Sequence, residues 1–528
     1  MTIDQRVRAL WQRTPHGPRT AFFACVITGL LVHLYAFTNL IPNSDGLSRL
    51  YDLQQMTISG RWFLHCASVF HSFTQMPMAI GLLSLLFLGL AAALTADLLG
   101  LDSRVLAGLG GAVMAAFPCL GYTFLYLFTA SAYCFAILLA ALSVWLARRG
   151  RLGWLLGICA LALSMGTYQA YAAYAIGLSL AVVFRETLCP EAGFRGTLSL
   201  GLRLVGMLAA GAVLYYAVLL VFLRVKNLEL LSYLGMDEAS AGYPIEKLPG
   251  LILAAYKQVI AFFFLPSAHG FATAVMVTGN LLLLLSGLRC FLLRHKTLGW
   301  EPWRLAGGLA MLALLPLGIN FGQILSPYAV PTPIMKYAFV LVYLAALVLL
   351  AQADGLSELG RGEVPAALAV MAILLGSFLN TNNLLYTASA QAHRATESYA
   401  TRLLARIEDC PDYQPGMEIA IVGAVPQEQI MGGRAESFRR VEHYSVPAGT
   451  VLTLNKHIYY YLEQWLNFPV EELDEGTMKA IAASPAFQAM PLYPAQGSVQ
   501  VLDGRVVVRM AQTYTPKSDY ELAYENRR

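Results

Sequence analysis

Apolar runs long enough to cross the hydrocarbon core of a bilayer, about 20 residues each, recur along residues 1–384 of this 528-residue chain. Only 13% of the residues are charged and 57% are hydrophobic, whereas soluble domains carry about 25% charged residues. The sequence therefore predicts a polytopic α-helical membrane protein. We expect about eleven spans, at roughly 20–41, 77–100, 104–119, 122–147, 152–166, 169–184, 204–223, 271–291, 305–325, 333–352 and 364–384.

Three stretches of this pattern are ambiguous. Pro118 and Gly121 interrupt the third run, and Gly166 separates two short runs. Residues 250–264 contain Lys257 and Gln258, which is also consistent with an amphipathic helix lying in the membrane interface.

The distribution of positive charge predicts the orientation. With a cytoplasmic N-terminus, the inner segments contain 16 arginines and lysines and the outer loops contain 7, as the positive-inside rule requires. The first run follows four arginines and lacks a small-residue cleavage motif, so we expect a retained anchor. Because the basic clusters are topology signals, nucleic acid is not an expected partner.

An odd number of spans places the polar tail on the outer face. We divide the chain into a transmembrane domain, 1–384, and a small extracytoplasmic α/β domain, 385–528. In the tail we predict a buried strand at 417–423, a short strand at 451–454 and a helix at 457–466. Residues 499–510 predict two strands joined at Asp503-Gly504, a dipeptide typical of tight hairpins.

The segment 43–62 in the first outer loop (42–76) carries the most unusual charges of the chain. It contains Asp45, Arg49, Asp52 and Arg61, whereas the span centres are almost free of ionisable groups. His33 is an exception, and we expect it to bond a neighbouring helix. A transporter usually places charges near the midplane, so the pattern favours an interfacial pocket on the outer side.

A carboxylate in such a pocket could act as a general base. Asp45 is the best placed, close to the first span, and Asp52 lies two turns further on if 45–58 is helical. Structural alternatives exist for both acids. Ser44 or Asp45 could cap the following helix, Arg49 could pair with Asp45 at i,i+4, and Asp52 could lie on a solvated face.

Cations of the outer loops, including the loop 224–270, could bind a lipid-linked phosphate. The candidates are Arg61, Arg224, Lys226 and Lys336. Each is also consistent with a headgroup anchor, because long basic side chains at span ends extend to the interface.

Residues that could bind a sugar or the acceptor lie in two motifs. Tyr168 and Gln169 follow the Gly166 break in S-M-G-T-Y-Q, and Trp62 and His65 follow Gly60-Arg61. Trp62 is equally consistent with an aromatic-belt residue.

Taken together, the first-loop Asp45, the G-R-W at 60–62, the Y-Q at 168–169 and the tail segment 484–504 resemble the type-II Gtr glucosyltransferases. These are polytopic C-type (GT-C) glycosyltransferases that modify bacterial surface polysaccharides. The resemblance implies a polyprenyl-phosphate sugar donor, typically undecaprenyl-phosphate glucose, and a lipid-linked or surface glycan acceptor. It also implies a bacterial inner-membrane location with a periplasmic site, and Asp45 as the catalytic base. Many C-type transferases have adjacent acids here, whereas Ser44 and Gly46 flank Asp45, which leaves the role of Asp52 open.

The resemblance implies a single inverting displacement in which polyprenyl phosphate leaves. A monophosphate needs less charge neutralisation than a nucleoside diphosphate, and the outer loops contain no D-x-D-like cluster, so we expect no metal and no other cofactor. Two alternatives remain. One is a transferase of the same architecture with another sugar or with a lipid or protein acceptor. The other is a flippase or exporter of lipid-linked glycans, although the sequence lacks a polar path across the membrane.

Overall fold

The computed structural model describes residues 2, 4, 14–47, 57–71, 74–230, 245–265, 273–325, 332–360, 362–425, 430 and 451–514. Most of these residues are helical. Up to residue 408 the helices are α1 His16–Thr38, α2 Leu64–Ala67, α3 Pro77–Leu99, α4 Arg104–Ala116, α5 Pro118–Leu125, α6 Leu127–Ala147, α7 Gly150–Thr167, α8 Ala172–Leu188, α9 Phe194–Lys226, α10 Leu248–Phe264, α11 Ala274–Thr297, α12 Pro302–Ile319, α13 Phe321–Leu325, α14 Leu341–Ala353 and α15 Glu363–Glu408. Short 3-10 helices lie at Ser44–Gly46, Thr57–Ser59, Ser68–His71, Gln169–Tyr171, Ile245–Lys247, Pro333–Met335 and Tyr337–Val340.

Nine helical segments in the described part of the chain are long and apolar enough to cross a membrane. They are α1, α3, α6, α7, Gln169–Leu188, α9, α11, α12 and α15. The pair α4 and α5, bent by 41°, makes a tenth if it is one span. These segments are consistent with the predicted polytopic helical class, but the expected count of about eleven exceeds the nine or ten found among the described residues.

The count differs because the tenth predicted run, 333–352, is a shorter apolar helix, Tyr337–Ala353. The ambiguous stretch 250–264 also forms a helix of this shorter kind, Leu248–Phe264. Its buried side chains are Leu251, Ala255, Val259, Phe262 and Phe263.

The structure divides into two compact units, of which the first contains Met1–Asn39 and Leu53–Asn383. Within it α1 packs against α3 and α4, α6 packs against α3 and α7, and α9 packs against α7. These helices approach each other closely where small residues lie between them, as is usual for helices in membranes. At Gly111 an added Cβ would lie 2.1 Å from the carbonyl oxygen of Ala21, so α1 and α4 touch through their backbones there.

The break between α4 and α5 leaves backbone carbonyls to be satisfied by other helices. Pro118 has no N–H to donate to the carbonyl four residues earlier, and the last carbonyls of any helix lack intrahelical partners. Side chains from elsewhere donate instead: Tyr337 Oη to Met114 (2.9 Å), His33 Nε2 to Ala115 (2.8 Å) and Asn382 Nδ2 to Ala116 (2.8 Å). The expectation that His33 bonds a neighbouring helix is confirmed.

The second unit contains Leu40–Asp52 and Leu384–Arg528. Its described elements, beside the end of α15, are β1 Ile419–Val422, α16 Asn455–Leu466, α17 Glu475–Ala483, α18 Pro485–Ala489, β2 Val499–Leu502 and β3 Arg505–Arg509. The strands form a sheet of order β1-β3-β2, parallel between β1 and β3 and antiparallel between β2 and β3.

Alternate side chains of this sheet enter two cores, as the two-residue period of a strand requires. Ile419 and Ile421 pack with residues of α15 and α16, whereas Ala420 and Val422 pack with residues of α17 and α18. Leu47, from the Leu40–Asp52 segment, is fully buried in the first of these cores.

The predicted strand at 417–423, helix at 457–466 and hairpin at 499–510 are confirmed. Asp503 and Gly504 both have positive φ, 49° and 74°, which a tight hairpin turn requires. The predicted strand at 451–454 is wrong, because these residues have no strand conformation. Their composition favours a strand, but a strand also needs a neighbouring strand to pair with.

We predict that Asn382→Leu destabilises the protein. Its side chain is fully buried, and the substitution leaves the Ala116 carbonyl without its donor, at a cost of about 1–3 kcal/mol. Thermal denaturation in detergent measures the effect. The matched control is Asn383→Leu, because Asn383 is its half-buried neighbour and donates to the Leu379 carbonyl within the same helix. Equal melting temperatures for the two variants would contradict this account of the helix break.

Candidate functional site

Arg61 lies on a cluster of tyrosines in the first unit. Its Nη1 donates a hydrogen bond to Tyr133 Oη at 3.1 Å, and its Cζ lies 4.6 Å from the centre of the Tyr168 ring. The Tyr133 and Tyr168 rings are stacked, with centres 4.6 Å apart and an angle of 7°. Tyr171 meets both rings edge-on, at 5.9 and 5.5 Å. Ring faces and a phenol therefore fix the guanidinium in one orientation.

The loop that carries Arg61 is fastened to the helices by polar contacts. Gln169 Nε2 donates to the Ser59 carbonyl at 2.8 Å and to Tyr215 Oη at 3.0 Å. Tyr215 Oη in turn donates to the Gly60 carbonyl at 3.1 Å. Sequence analysis named Gln169 as a sugar ligand, and the structure shows it bonded to the backbone beside Arg61.

Trp62 packs inside the same loop and is 8% exposed. Its indole stacks on Phe222 (5.7 Å, 15°) and Tyr215 (6.4 Å, 24°). A Cβ at Gly166 would come within 2.6 Å of this ring, so Gly166 makes room for it. His65 follows in the short helix α2 and is half-buried.

The predicted phosphate ligands occupy different positions. Lys336 is only 6% exposed and follows the Pro333–Met335 turn, which packs against α5. Among the described residues no contact joins Lys336 to the Arg61 cluster. Arg224 and Lys226 are exposed in the last turn of α9. Lys226 Nζ lies 5.8 Å from the centre of the Phe222 ring, on which Trp62 also stacks.

Asp45 belongs to the second unit. It is exposed in the 3-10 helix Ser44–Gly46, and its N–H donates to the side chain of Asn43 at 2.9 Å. Asn43 therefore caps this short helix. Asp52 and Arg49, with most of the predicted helix at 45–58, lie outside the described residues.

Sequence analysis missed Tyr133 and Tyr215. Both lie inside apolar runs, where a tyrosine is usually part of the core or of the aromatic belt. Tyr133 and Tyr215 lie near the middle of the predicted spans 122–147 and 204–223, so no local sequence signal marked them as site residues. The described residues contain no group of three His, Cys, Asp or Glu side chains arranged to hold a metal ion.

Comparison with known proteins identifies one family. Residues 34–349 match the family model described as glucosyl transferase GtrII, which covers more than half of the chain and includes Asp45, the Arg61 cluster and Lys336. The resemblance seen in the sequence motifs is thereby confirmed. No curated protein and no solved structure matches the chain.

We predict that Tyr215→Phe loosens the loop that carries Arg61. The substitution removes the hydroxyl that bonds both Gln169 and the Gly60 carbonyl, and a lost buried bond of this kind costs about 1–3 kcal/mol. Hydrogen–deuterium exchange of residues 57–63 should rise about tenfold or more. Tyr216→Phe is the matched control, because Tyr216 is 45% exposed on the same helix. Unchanged exchange in Tyr215→Phe would show that other contacts hold the loop.

Proposed function

Because the chain belongs to the GtrII glucosyl transferase family, we propose that it transfers glucose from a polyprenyl-phosphate donor to a glycan hydroxyl. Family membership makes it a membrane glucosyltransferase of surface glycan synthesis. The proposed donor is undecaprenyl-phosphate glucose, and the proposed acceptor is a lipid-linked or surface glycan on the periplasmic side of the bacterial inner membrane. The observation that carries this proposal is the family match over residues 34–349.

In the proposed reaction, Asp45 accepts the proton of the acceptor hydroxyl. The hydroxyl oxygen attacks the anomeric carbon as the bond from that carbon to the phosphate oxygen breaks. The electron pair of that bond leaves with polyprenyl phosphate. One displacement inverts the anomeric centre, so a β-linked donor gives an α-linked product.

Arg61 is proposed to bind the phosphate as negative charge develops on it. Support comes from its fixed position over the Tyr168 ring and beside the Tyr133 hydroxyl, because a preorganised cation stabilises a transition state without reorganising. Lys336 is a second proposed phosphate ligand, since a lysine that is 6% exposed is stabilised by an anion close to it. Arg224 and Lys226 are proposed as further contacts at the membrane surface.

The proposed site also contains Tyr168, Gln169, Trp62 and His65 as residues near the sugar or the acceptor. In addition we propose that no metal takes part, because a monophosphate leaving group can be stabilised by arginine and lysine alone. The transfer assays below are therefore run in EDTA. Activity that requires an added divalent ion would remove this part of the proposal.

Asp45→Asn should abolish glucose transfer in an assay with purified protein and labelled donor lipid. A general base typically contributes about 10²–10⁴-fold to the rate, so a loss of that order is expected with donor binding retained. Asp503→Asn is the matched control, because this hairpin position with positive φ also accepts asparagine. Near-normal turnover in Asp45→Asn would exclude Asp45 as the base. A panel of donors with other sugars tests whether glucose is the transferred sugar.

Arg61→Ala and Lys336→Ala should each raise the KM for the donor by about tenfold or more, as expected when a charged hydrogen bond worth about 1.5–3 kcal/mol is lost. Arg61→Lys should recover only part of the affinity, because lysine cannot reproduce the planar contact with Tyr168. Lys257→Ala, at an exposed residue of α10, is the control. A donor KM that stays at the wild-type value would indicate that these cations anchor the protein to the membrane.

A further inference from the structure

Three arginines converge on the turn between α6 and α7. Arg149 and Arg151 flank Gly150, and Arg203 reaches this turn from α9, where its Nη2 donates to the Gly150 carbonyl. Trp154 Nε1 donates to the Arg203 carbonyl at 2.9 Å. These cross-helix bonds hold the Arg203 backbone and guanidinium beside the turn.

Arginines outnumber acids around the turn between α6 and α7. Arg148 and Arg185 both pair with Glu186, at 3.5 and 3.3 Å, and Asp97 accepts a bond from Trp145 Nε1 at 2.8 Å. Residues 97–203, which include this turn, contain seven arginines and four acids, an excess of three. Residues 74–230 are all described, and within them Arg149, Arg151 and Arg203 form no ion pair.

Two further features favour an anion beside this turn. The N-terminus of α7 has no side-chain cap, so its first N–H groups add positive potential. The Arg149 guanidinium lies over the Trp145 ring, with Cζ 3.5 Å from the ring centre, and this cation–π contact holds it beside the turn.

An apolar surface adjoins the arginines. Leu152 and Leu155 on α7 are 70% and 55% exposed, and Leu202 and Val205 on α9 are 64% and 62% exposed. Since α7 and α9 pack against each other, these side chains expose apolar surface on two neighbouring helices, close in sequence to the arginines of the turn. A cluster of arginines beside an apolar surface is complementary to an amphiphile, which has a charged head group and an apolar chain.

We propose that this surface binds an anionic phospholipid. Its phosphate contacts Arg149, Arg151 and Arg203, and its acyl chains lie along the exposed leucines and valine of α7 and α9. Anionic lipid is favoured over zwitterionic lipid because only the former has a net charge that balances the excess arginines. Each arginine near a membrane surface contributes roughly fivefold to such binding.

The test uses the full-length protein in detergent, with phosphatidylglycerol or phosphatidylcholine added at matched concentrations and retained lipid counted by native mass spectrometry. Wild type should retain phosphatidylglycerol preferentially. Arg149→Gln with Arg151→Gln should weaken its retention by roughly 25-fold, at about fivefold for each arginine. The lysine double variant, Arg149→Lys with Arg151→Lys, should stay within about threefold of wild type because it keeps the charge.

The matched control removes two exposed arginines from the second unit, Arg394→Gln with Arg402→Gln, and should bind like wild type. Arg151→Gln alone, at an exposed side chain, serves if the double variant is unstable, with a roughly fivefold loss. Equal retention of the two lipids by wild type would overturn the proposal, as would unchanged retention in the glutamine variants. Displacement of the lipid by an equal concentration of inorganic phosphate would also overturn it, because the site would then bind a free anion.

Discussion

The hydrogen bonds at the break between α4 and α5 set much of the structure of the first unit. In an apolar environment every backbone carbonyl needs an internal partner, and this break exposes three in succession. Tyr337, His33 and Asn382 satisfy them from three different parts of the chain. Because Tyr337 directly follows Lys336, the bond that completes the break also fixes the turn on which the proposed phosphate ligand lies.

The same principle applies around Arg61, where polar groups are held by specific partners inside a largely apolar unit. Gln169 and Tyr215 hold the backbone of the loop, and the Tyr133 hydroxyl and the Tyr168 ring hold the guanidinium. Binding of the proposed phosphate would then require little rearrangement of this side chain. A flexible surface arginine would lose conformational entropy on binding, whereas Arg61 has already lost most of it during folding.

Hydropathy located the helices well because spans must be apolar over their whole length, and Pro118 correctly marked a break. The hairpin was predicted because Asp503-Gly504 suits a turn with two positive φ angles. Other features depend on tertiary contacts that have no local signal. Leu47, from the segment Leu40–Asp52, is fully buried, and nothing in the composition of this segment indicates that Leu47 joins the core of the second unit.

Only part of the candidate site was predicted, because some of its contacts are tertiary and have no local signal in the sequence. Arg61, Tyr168 and Gln169 were identified as polar residues near span ends, and the structure brings them together. Tyr133 and Tyr215 complete the cluster but were hidden within apolar runs. The periodicity of apolar residues indicates that a helix is buried. It does not indicate which tyrosine of that helix contacts a charged side chain from a distant loop.

Some arginines of this protein donate their N–H groups to backbone carbonyls, whereas others expose them to the surroundings. This difference separates arginines with structural roles from arginines with proposed binding roles. Arg304 is 4% exposed, and its Nη atoms donate to the carbonyls of Thr187, Cys189, Pro190 and Ala192. These bonds satisfy the backbone at the end of α8 and leave little capacity for a ligand. Arg149 and Arg151 lie exposed on the uncapped start of α7, so most of their donors face outward. An arginine whose N–H groups are saturated by backbone carbonyls stabilises a fold, whereas several arginines in charge excess beside an apolar face provide a binding surface.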